Sequence, residues 1–220
     1  MPYHATGVVD PVETGREPVL PGDRVLPDAG LLKEAVRESI LTSPGSFLKT
    51  VYDVDHLGAY YWNKEIDRAT WVVIQQSGEV VGIAVARWPD QTIDRDIDQL
   101  KARFIESVWI APKFRGSRMG ERLVKYLIEV ECEKQPSVRQ FMLWVFKDNK
   151  RAICLYERMK FTYVKEHALE NGRVELLYEY VLPDVPDEQS AVARRENQRA
   201  RQRDLRQYGV TYRVLRKDCS

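Results

Sequence analysis

The chain has 220 residues, 44% of them hydrophobic and 30% charged, a composition that buries one substantial core and excludes both a disordered and a membrane-embedded protein. With 34 basic and 33 acidic side chains the formal net charge is +1, so no global field directs the protein to nucleic acid. Cys132, Cys154 and Cys219 are widely spaced and supply neither a disulfide framework nor a zinc set. The N-terminal stretch carries prolines and carboxylates where a secretory leader needs a basic segment and an apolar core. No apolar run approaches the ~20 residues that span a bilayer, and a cytoplasmic, reducing setting is expected.

Residues 1–15 read as an irregular arm, followed by an expected first strand over Arg16–Leu26. Asp28 then introduces a helix from Ala29 to about Leu41, whose Leu32, Val36 and Ile40 form an apolar stripe that ends at Pro44-Gly45. A second helix is expected over Val54–Arg68. The run TWVVIQQSGEVVGIAVARW predicts an antiparallel hairpin around Ser77-Gly78. An acidic connector with Asp90, Asp94, Asp96 and Asp98 leads to a strand over Phe104–Ile110. Next come a helix from Met119 to Glu133 with Leu123, Leu127 and Val130 inward, and a strand over Val138–Phe146. The segment from Asn149 is a helix with Ala152, Leu155, Tyr156 and Met159 on one face; strands from about Phe161 and over Arg173–Leu182 follow. This order predicts an α/β fold, a mixed sheet with helices on both faces, occupying residues 16–183.

Residues 184–220 change character. Arg194, Arg195, Arg199, Arg201, Arg203 and Arg206 crowd a stretch almost without large apolar residues, which reads as a solvent-facing helix that packs weakly on its own domain. The closing alternation of Val210, Tyr212 and Val214 fits a short edge strand or a surface that docks on a neighbour.

The chemistry concentrates in VWIAPKFRGSRMGERL, Val108 to Leu123, where an apolar strand breaks at Pro112 into a basic turn and a helix begins. Backbone N–H groups of a first helical turn lack intrahelical partners and carry partial positive charge, so they hold phosphate. Arg115 and Arg118 add full charges, and Gly116 and Gly120 allow close approach and unusual dihedrals. Taken alone, this segment reads equally well as a solvated loop ahead of a basic helix.

Joined to NKRAICLYERMKF, Asn149 to Phe161, the segment resembles the GNAT superfamily of N-acetyltransferases. That family carries an Arg/Gln-x-x-Gly-x-Gly/Ala turn and an Asn-x-x-Ala-x-x-x-Tyr helix. Arg115 and Gly120 match the ends of the turn, Arg118 stands at its inner glycine position, and Asn149, Ala152 and Tyr156 match the helix. An arginine at the inner position is expected to put ordinary right-handed helical backbone there. The stretch SPGSFLKT near Ser43 also resembles a segment between the first two helices of small-molecule members. The resemblance implies the GNAT fold, with a mostly antiparallel central sheet, and acetyl-CoA as cosubstrate. It implies cofactor contacts from Val108, Trp109 and Ile110, from Arg115, Gly116, Ser117, Arg118, Met119 and Gly120, and from Asn149, Ala152 and Tyr156.

Tyr156 would then protonate the departing sulfur, since a phenol with a reference pKa of ~10 is protonated at neutral pH. A packing tyrosine is the alternative. Glu106 interrupts the apolar FIESVWI strand; alternation puts it on the face of Val108 and Ile110, partly buried, where it serves either as general base or in a structural ion pair. Cys154 reads as a small buried side chain. No cysteine stands at a nucleophile position, so direct transfer in a ternary complex to a primary amine of a small molecule is expected. Alternatives are a protein lysine or N-terminal acetyltransferase, and a noncatalytic acyl-CoA-binding protein using the basic tail. The connector's aspartates and Tyr60, Tyr61, Trp62 and Trp88 are candidates to receive a cationic acceptor. A homodimer is possible by the same reading, whereas a metal, nucleic acid and a membrane are not expected.

Overall fold

In the computed structural model residues 27–90, 97–183 and 187–215 are described. The arm, the expected strand over Arg16–Leu26, and Asp94 and Asp96 lie outside them. The first helix, α1, spans Pro27–Thr42 and buries Leu32, Val36 and Ile40 as its apolar stripe requires. The expected second helix is two: α2, Val51–His56, and α3, Ala59–Arg68. Thr50 and Asp53 form a reciprocal capping box that starts α2 three residues early. The break falls at Leu57-Gly58, where both residues are extended.

Strands β1, Ala69–Gln76, and β2, Glu79–Arg87, form the hairpin. Ser77 and Gly78 have φ of 52° and 89°, the positive values a two-residue hairpin turn needs. Strand β3, Ala102–Ile110, leads to α4, Met119–Lys134; β4, Gln140–Phe146, leads to α5, Lys150–Arg158; β5, Thr162–Ala168, and β6, Val174–Val181, complete that half. The tail contributes α6, Asp187–Tyr208, and β7, Val210–Leu215. Among the described residues one sheet in the order β5-β6-β4-β3-β2-β1-β7 joins the seven strands, and every pairing is antiparallel except β3 with β4.

Two irregularities in β3 shape the molecule's centre. Strand β2 advances from Ile83 to Val85 while β3 moves from Trp109 to Glu106, so β3 holds an extra residue, and Ser107 takes φ of 52°. In addition, β3 and β4 pair only from Ala102 to Phe104 against Gln140 to Met142 and then part.

Faces follow from contacts. Arg103 Nε donates to Glu131 of α4 at 2.8 Å, whereas Trp109 Nε1 donates to Thr42 of α1 at 2.9 Å. Tyr178 Oη donates to Glu157 on α5 at 3.2 Å, so Glu175 and Leu177, three and one residues earlier, point away from α5. One face of the sheet therefore carries α4 and α5. The other carries α1 together with Phe104, Glu106, Trp109, Trp144, Phe146 and Glu175. Phe104, Met142 and Leu177 form a small apolar cluster there, separate from the main core.

The tail is built into the fold, which corrects the expectation of a weakly packed, solvent-facing appendage. Strand β7 pairs antiparallel with β1 from Val210↔Gln76 to Leu215↔Trp71, and Val210 and Leu215 are wholly buried. The arginine-rich composition hid this because α6 docks by polar contacts: Arg122 to the buried Asp204, Arg201 to Glu129 at 2.9 Å, and Asn197 to Glu129.

Candidate functional site

Where β3 and β4 part, a cleft of about 670 Å³ opens. Its walls include Glu106, Ser107 and Val108 of β3, Trp144 to Phe146 of β4, Asn149, Ala152 and Tyr156 of α5, and Glu175 of β6; α1, α3 and the α1–α2 connection close the other side. The register pairs neither Ser107 nor Val108 with β2 or β4. Beyond Phe104 the edge of β3 that would face β4 therefore has no strand beside it.

Asn149 is the N-cap of α5, its Oδ1 accepting from Ala152 N at 3.2 Å. The cap fixes where α5 begins and so brings Tyr156 to the cleft wall. Tyr156 is 6% exposed and its ring leans on Phe161 at 5.7 Å. Burial pushes its phenol well above the ordinary value, which keeps it a proton donor.

At the end of β3, outside the cleft lining, lies the turn from Arg115 to Gly120. Arg118 has φ of 63° and ψ of 11° and Gly116 φ of 84°, so the backbone at Arg118 is left-handed, not the right-handed helix expected of an arginine. An arginine held there keeps the conformation a glycine would supply and pays a local strain of ~1 kcal/mol. Helical hydrogen bonds begin only with Arg122 N to Arg118 O, which leaves the N–H groups of Met119 and Gly120 ahead of the ladder. Arg115 is partly engaged: Nε donates to Ile110 O at 2.9 Å and a second nitrogen to Ser43 Oγ at 2.7 Å. Burial lowers its proton affinity, and the neighbouring charge of Arg151 lowers it further. Ser117 Oγ donates to Phe114 O at 2.6 Å, and Arg122 donates to Ser117 O at 2.9 Å, so the turn is braced from below. Gly120, expected to allow close approach and unusual dihedrals, has no positive φ, and a Cβ there would meet Leu155 and Ile110 at 3.5 and 3.6 Å, ordinary contact distances.

Trp109 is buried against α1 and Ile110 lies toward Gly120, so of the three strand residues expected at the cofactor only Val108 lines the cleft. Glu106 is corrected on two points. The bulge moves it to the face of Trp109 and away from that of Ile110, and its side chain is 48% exposed. It accepts from Arg87 at 3.1 Å, and Arg87 also reaches Glu65. Cys154, expected to be buried, is exposed, and neither it nor Cys132 is in the lining. Of the aromatic candidates, Tyr61, Trp62 and Trp88 line the cleft with Asp90, while Tyr60 does not. The sequence reading passed over Arg87, Arg151 and Glu175. Glu175 carried a readable signal, a carboxylate breaking the apolar run of VELLYEYV as Glu106 breaks its own.

Among the described residues no group of three or more His, Cys, Asp or Glu side chains is placed to hold a metal, and no helix is long and apolar enough to cross a membrane.

The acetyltransferase (GNAT) family model matches residues 34–161. A thialysine N-epsilon-acetyltransferase of Sus scrofa is 34% identical over 56 residues, 26% of this chain and 32% of the relative, so the match spans about a third of that protein. The solved structure of yncA from Salmonella typhimurium with its cofactor acetyl-CoA has a TM-score of 0.55 at 18% identity, covering 72% of this chain and 91% of its own. A ribosomal-protein-alanine N-acetyltransferase of Brucella melitensis has a TM-score of 0.53 at 19% identity, covering 70% and 94%. At these identities the structures share the fold alone, and the acceptors named for two of these relatives, thialysine and a ribosomal-protein alanine, are of different kinds.

Proposed function

Because the chain belongs to the acetyltransferase (GNAT) family, we propose that it is an acetyl-CoA-dependent enzyme that acetylates a primary amine of a small molecule by direct transfer. The observation that carries this reading is the left-handed backbone at Arg118 opening α4 beside the parted strands β3 and β4. The residues fit the cosubstrate: positive φ at Gly116 and Arg118 sets the turn ahead of α4, whose first-turn N–H groups precede the helical ladder, and Arg115, Arg118 and Arg151 supply charge for a pyrophosphate. Acetyl-CoA supplies an acetyl thioester open to attack by an unprotonated amine.

The backbone edge of β3 at Ser107 and Val108, no longer paired with β4, is suited to hold the pantetheine arm and to offer a donor where negative charge develops. Tyr156, kept protonated by burial, is suited to give its proton to the leaving sulfur. The absence of Cys132 and Cys154 from the lining favours direct transfer. A small acceptor suits a cleft of about 670 Å³ flanked by α1 and α3 and walled by Tyr61, Trp62, Trp71 and Trp88.

Two measurements test the reading. Calorimetry should show acetyl-CoA binding that weakens by ~1.5 to 3 kcal/mol in Arg115→Ala. Thiol release with acetyl-CoA and a panel of small amines should show turnover; binding without turnover on any amine would leave a noncatalytic acyl-CoA protein.

A further inference from the structure

An ammonium must lose protons to become an amide, so an amine acetyltransferase needs a group to take them. Among the described residues, the sheet strands themselves bring two carboxylates to the cleft lining, Glu106 and Glu175. Glu106 is half exposed and held by Arg87. Glu175 is different: it is 4% exposed, it lines the cleft, and its Oε2 has no hydrogen-bond partner. A buried carboxylate oxygen left without a donor is unfavourable unless a ligand supplies one.

The surroundings fit a cation. Glu175 stands on β6 directly across from Phe146 on β4 and His167 on β5, and Trp144 lies two residues from Phe146 on the same face. Aromatic faces beside a carboxylate attract an ammonium. Other charged groups line the same cleft from α3, β2 and the connections: Glu65, buried but paired with Arg87, and Lys49, Asp67, Arg68 and Asp90. The Arg173 guanidinium sits 3.3 Å over the Phe146 ring and also reaches Gly45 O and Asp148; Lys165 Nζ is 6.0 Å from the Trp144 ring; His167 stacks edge-on to Trp144. From α5, Asn149 and Tyr156 face the same cleft.

We propose that Glu175 receives the ammonium of a cationic primary-amine acceptor and takes its proton. This assignment rests on the acetyltransferase reading above and adds the base and the acceptor's charge to it. Of the two protons the nitrogen loses between ammonium and amide, Glu175 takes the first and passes it to water. The amine lone pair then forms the C–N bond as the C–S bond breaks, and loss of the second N–H proton balances the one Tyr156 gives the sulfur. Burial raises the Glu175 carboxyl to about 7, with Arg173 opposing part of the rise, so the group changes charge in the range where such a base operates.

The test uses the full chain, acetyl-CoA and a panel of mono- and diamines, with thiol release followed from about pH 5.5 to 9. Wild-type kcat/KM should rise with pH through a limb near about 7. Glu175→Gln should lose that limb and ~10²- to 10⁴-fold in kcat/KM at neutral pH, with acetyl-CoA affinity unchanged. Glu175→Asp keeps the charge and serves if the glutamine variant does not fold: its limb should persist with reduced kcat, and unaltered kcat overturns the proposal. A limb that survives in Glu175→Gln, or that disappears in His167→Asn instead, also overturns it. No thiol release by the wild type with any amine overturns the acetyltransferase reading itself, and this assignment with it.

Discussion

At Arg118 a long cationic side chain occupies a backbone conformation that glycine adopts at little cost. Arg118→Gly should relieve ~1 kcal/mol of strain and raise the melting temperature by roughly 2 to 4 °C, while acetyl-CoA binds more weakly for want of the charge. A melting temperature that falls, with affinity unchanged, would mean the side chain serves the fold and not a phosphate. Tyr156 can be separated from its ring in the same way. Tyr156→Phe keeps the contact with Phe161, so it should lower turnover ~10²- to 10⁴-fold in an assay limited by chemistry and leave acetyl-CoA affinity intact. Equal turnover would remove the phenol from the mechanism. Glu175 also has a signature in stability that needs no substrate. Its folded pKa, about 7, lies above the reference value of 4.5, so its ionised form is disfavoured by the fold. The sign follows: stability associated with the protonated carboxyl is complete below about 4.5 and is lost as pH rises to about 7. Glu175→Gln should therefore gain on the wild type over that interval, by about 2 to 3 kcal/mol once both carboxyl states have been traversed. Melting curves in buffers across the range would read it, and a difference that does not change with pH would contradict a strained carboxylate.

Elements with strong periodicity were legible from sequence. The stripe Leu32, Val36 and Ile40 and the inward set Leu123, Leu127 and Val130 all lie in the core, and Ser77-Gly78 turns the hairpin. What periodicity could not convey was its own interruption. The bulge at Ser107 adds one residue to β3 and reverses the side from which Glu106 projects, and nothing in FIESVWI announces it. The capping box at Thr50 and Asp53 was written in the sequence but competed with an apolar pattern that suggested one longer helix. At the site, the motif residues Asn149, Ala152 and Tyr156 do meet in the cleft because one side-chain cap aligns the helix that carries them. The Arg87 bridge between Glu65 and Glu106 joins three elements, a contact at sequence separations that no local pattern reports. Glu175 was visible as a break in the apolar run of its strand, but only the sheet order sets β6 beside β4 and turns its carboxylate toward the place where β3 and β4 part.

On the scale of the molecule the tail is the least expected part and the most consequential. Strand β7 closes the edge of β1, and Val210 and Leu215 are buried there, each such side chain worth ~1.5 to 3 kcal/mol. Helix α6 does more than cover α4. Asp204, 2% exposed, accepts from Tyr212 and from Arg122, both at 2.6 Å, and the same Arg122 guanidinium donates to Ser117 O in the turn from Arg115 to Gly120. Tyr208 meets Phe114, the last residue before that turn, edge to face at 5.9 Å. The tail therefore supports the turn from behind, although it adds nothing to the cleft lining. Truncation after Pro183 would expose the hydrogen-bonding edge of β1, whose Trp71 to Ile74 are apolar, and would leave Arg122 without its carboxylate. The shortened chain should melt on the order of 10 °C lower, self-associate, and bind acetyl-CoA more weakly than the full chain. The subtler Asp204→Asn should keep β7 in place and weaken only the brace, so its loss should show in acetyl-CoA affinity as well as in stability. Melting curves, light scattering and calorimetry on the three proteins separate these effects. A truncated chain with unchanged melting temperature, mass and affinity would return the tail to a solvated appendage.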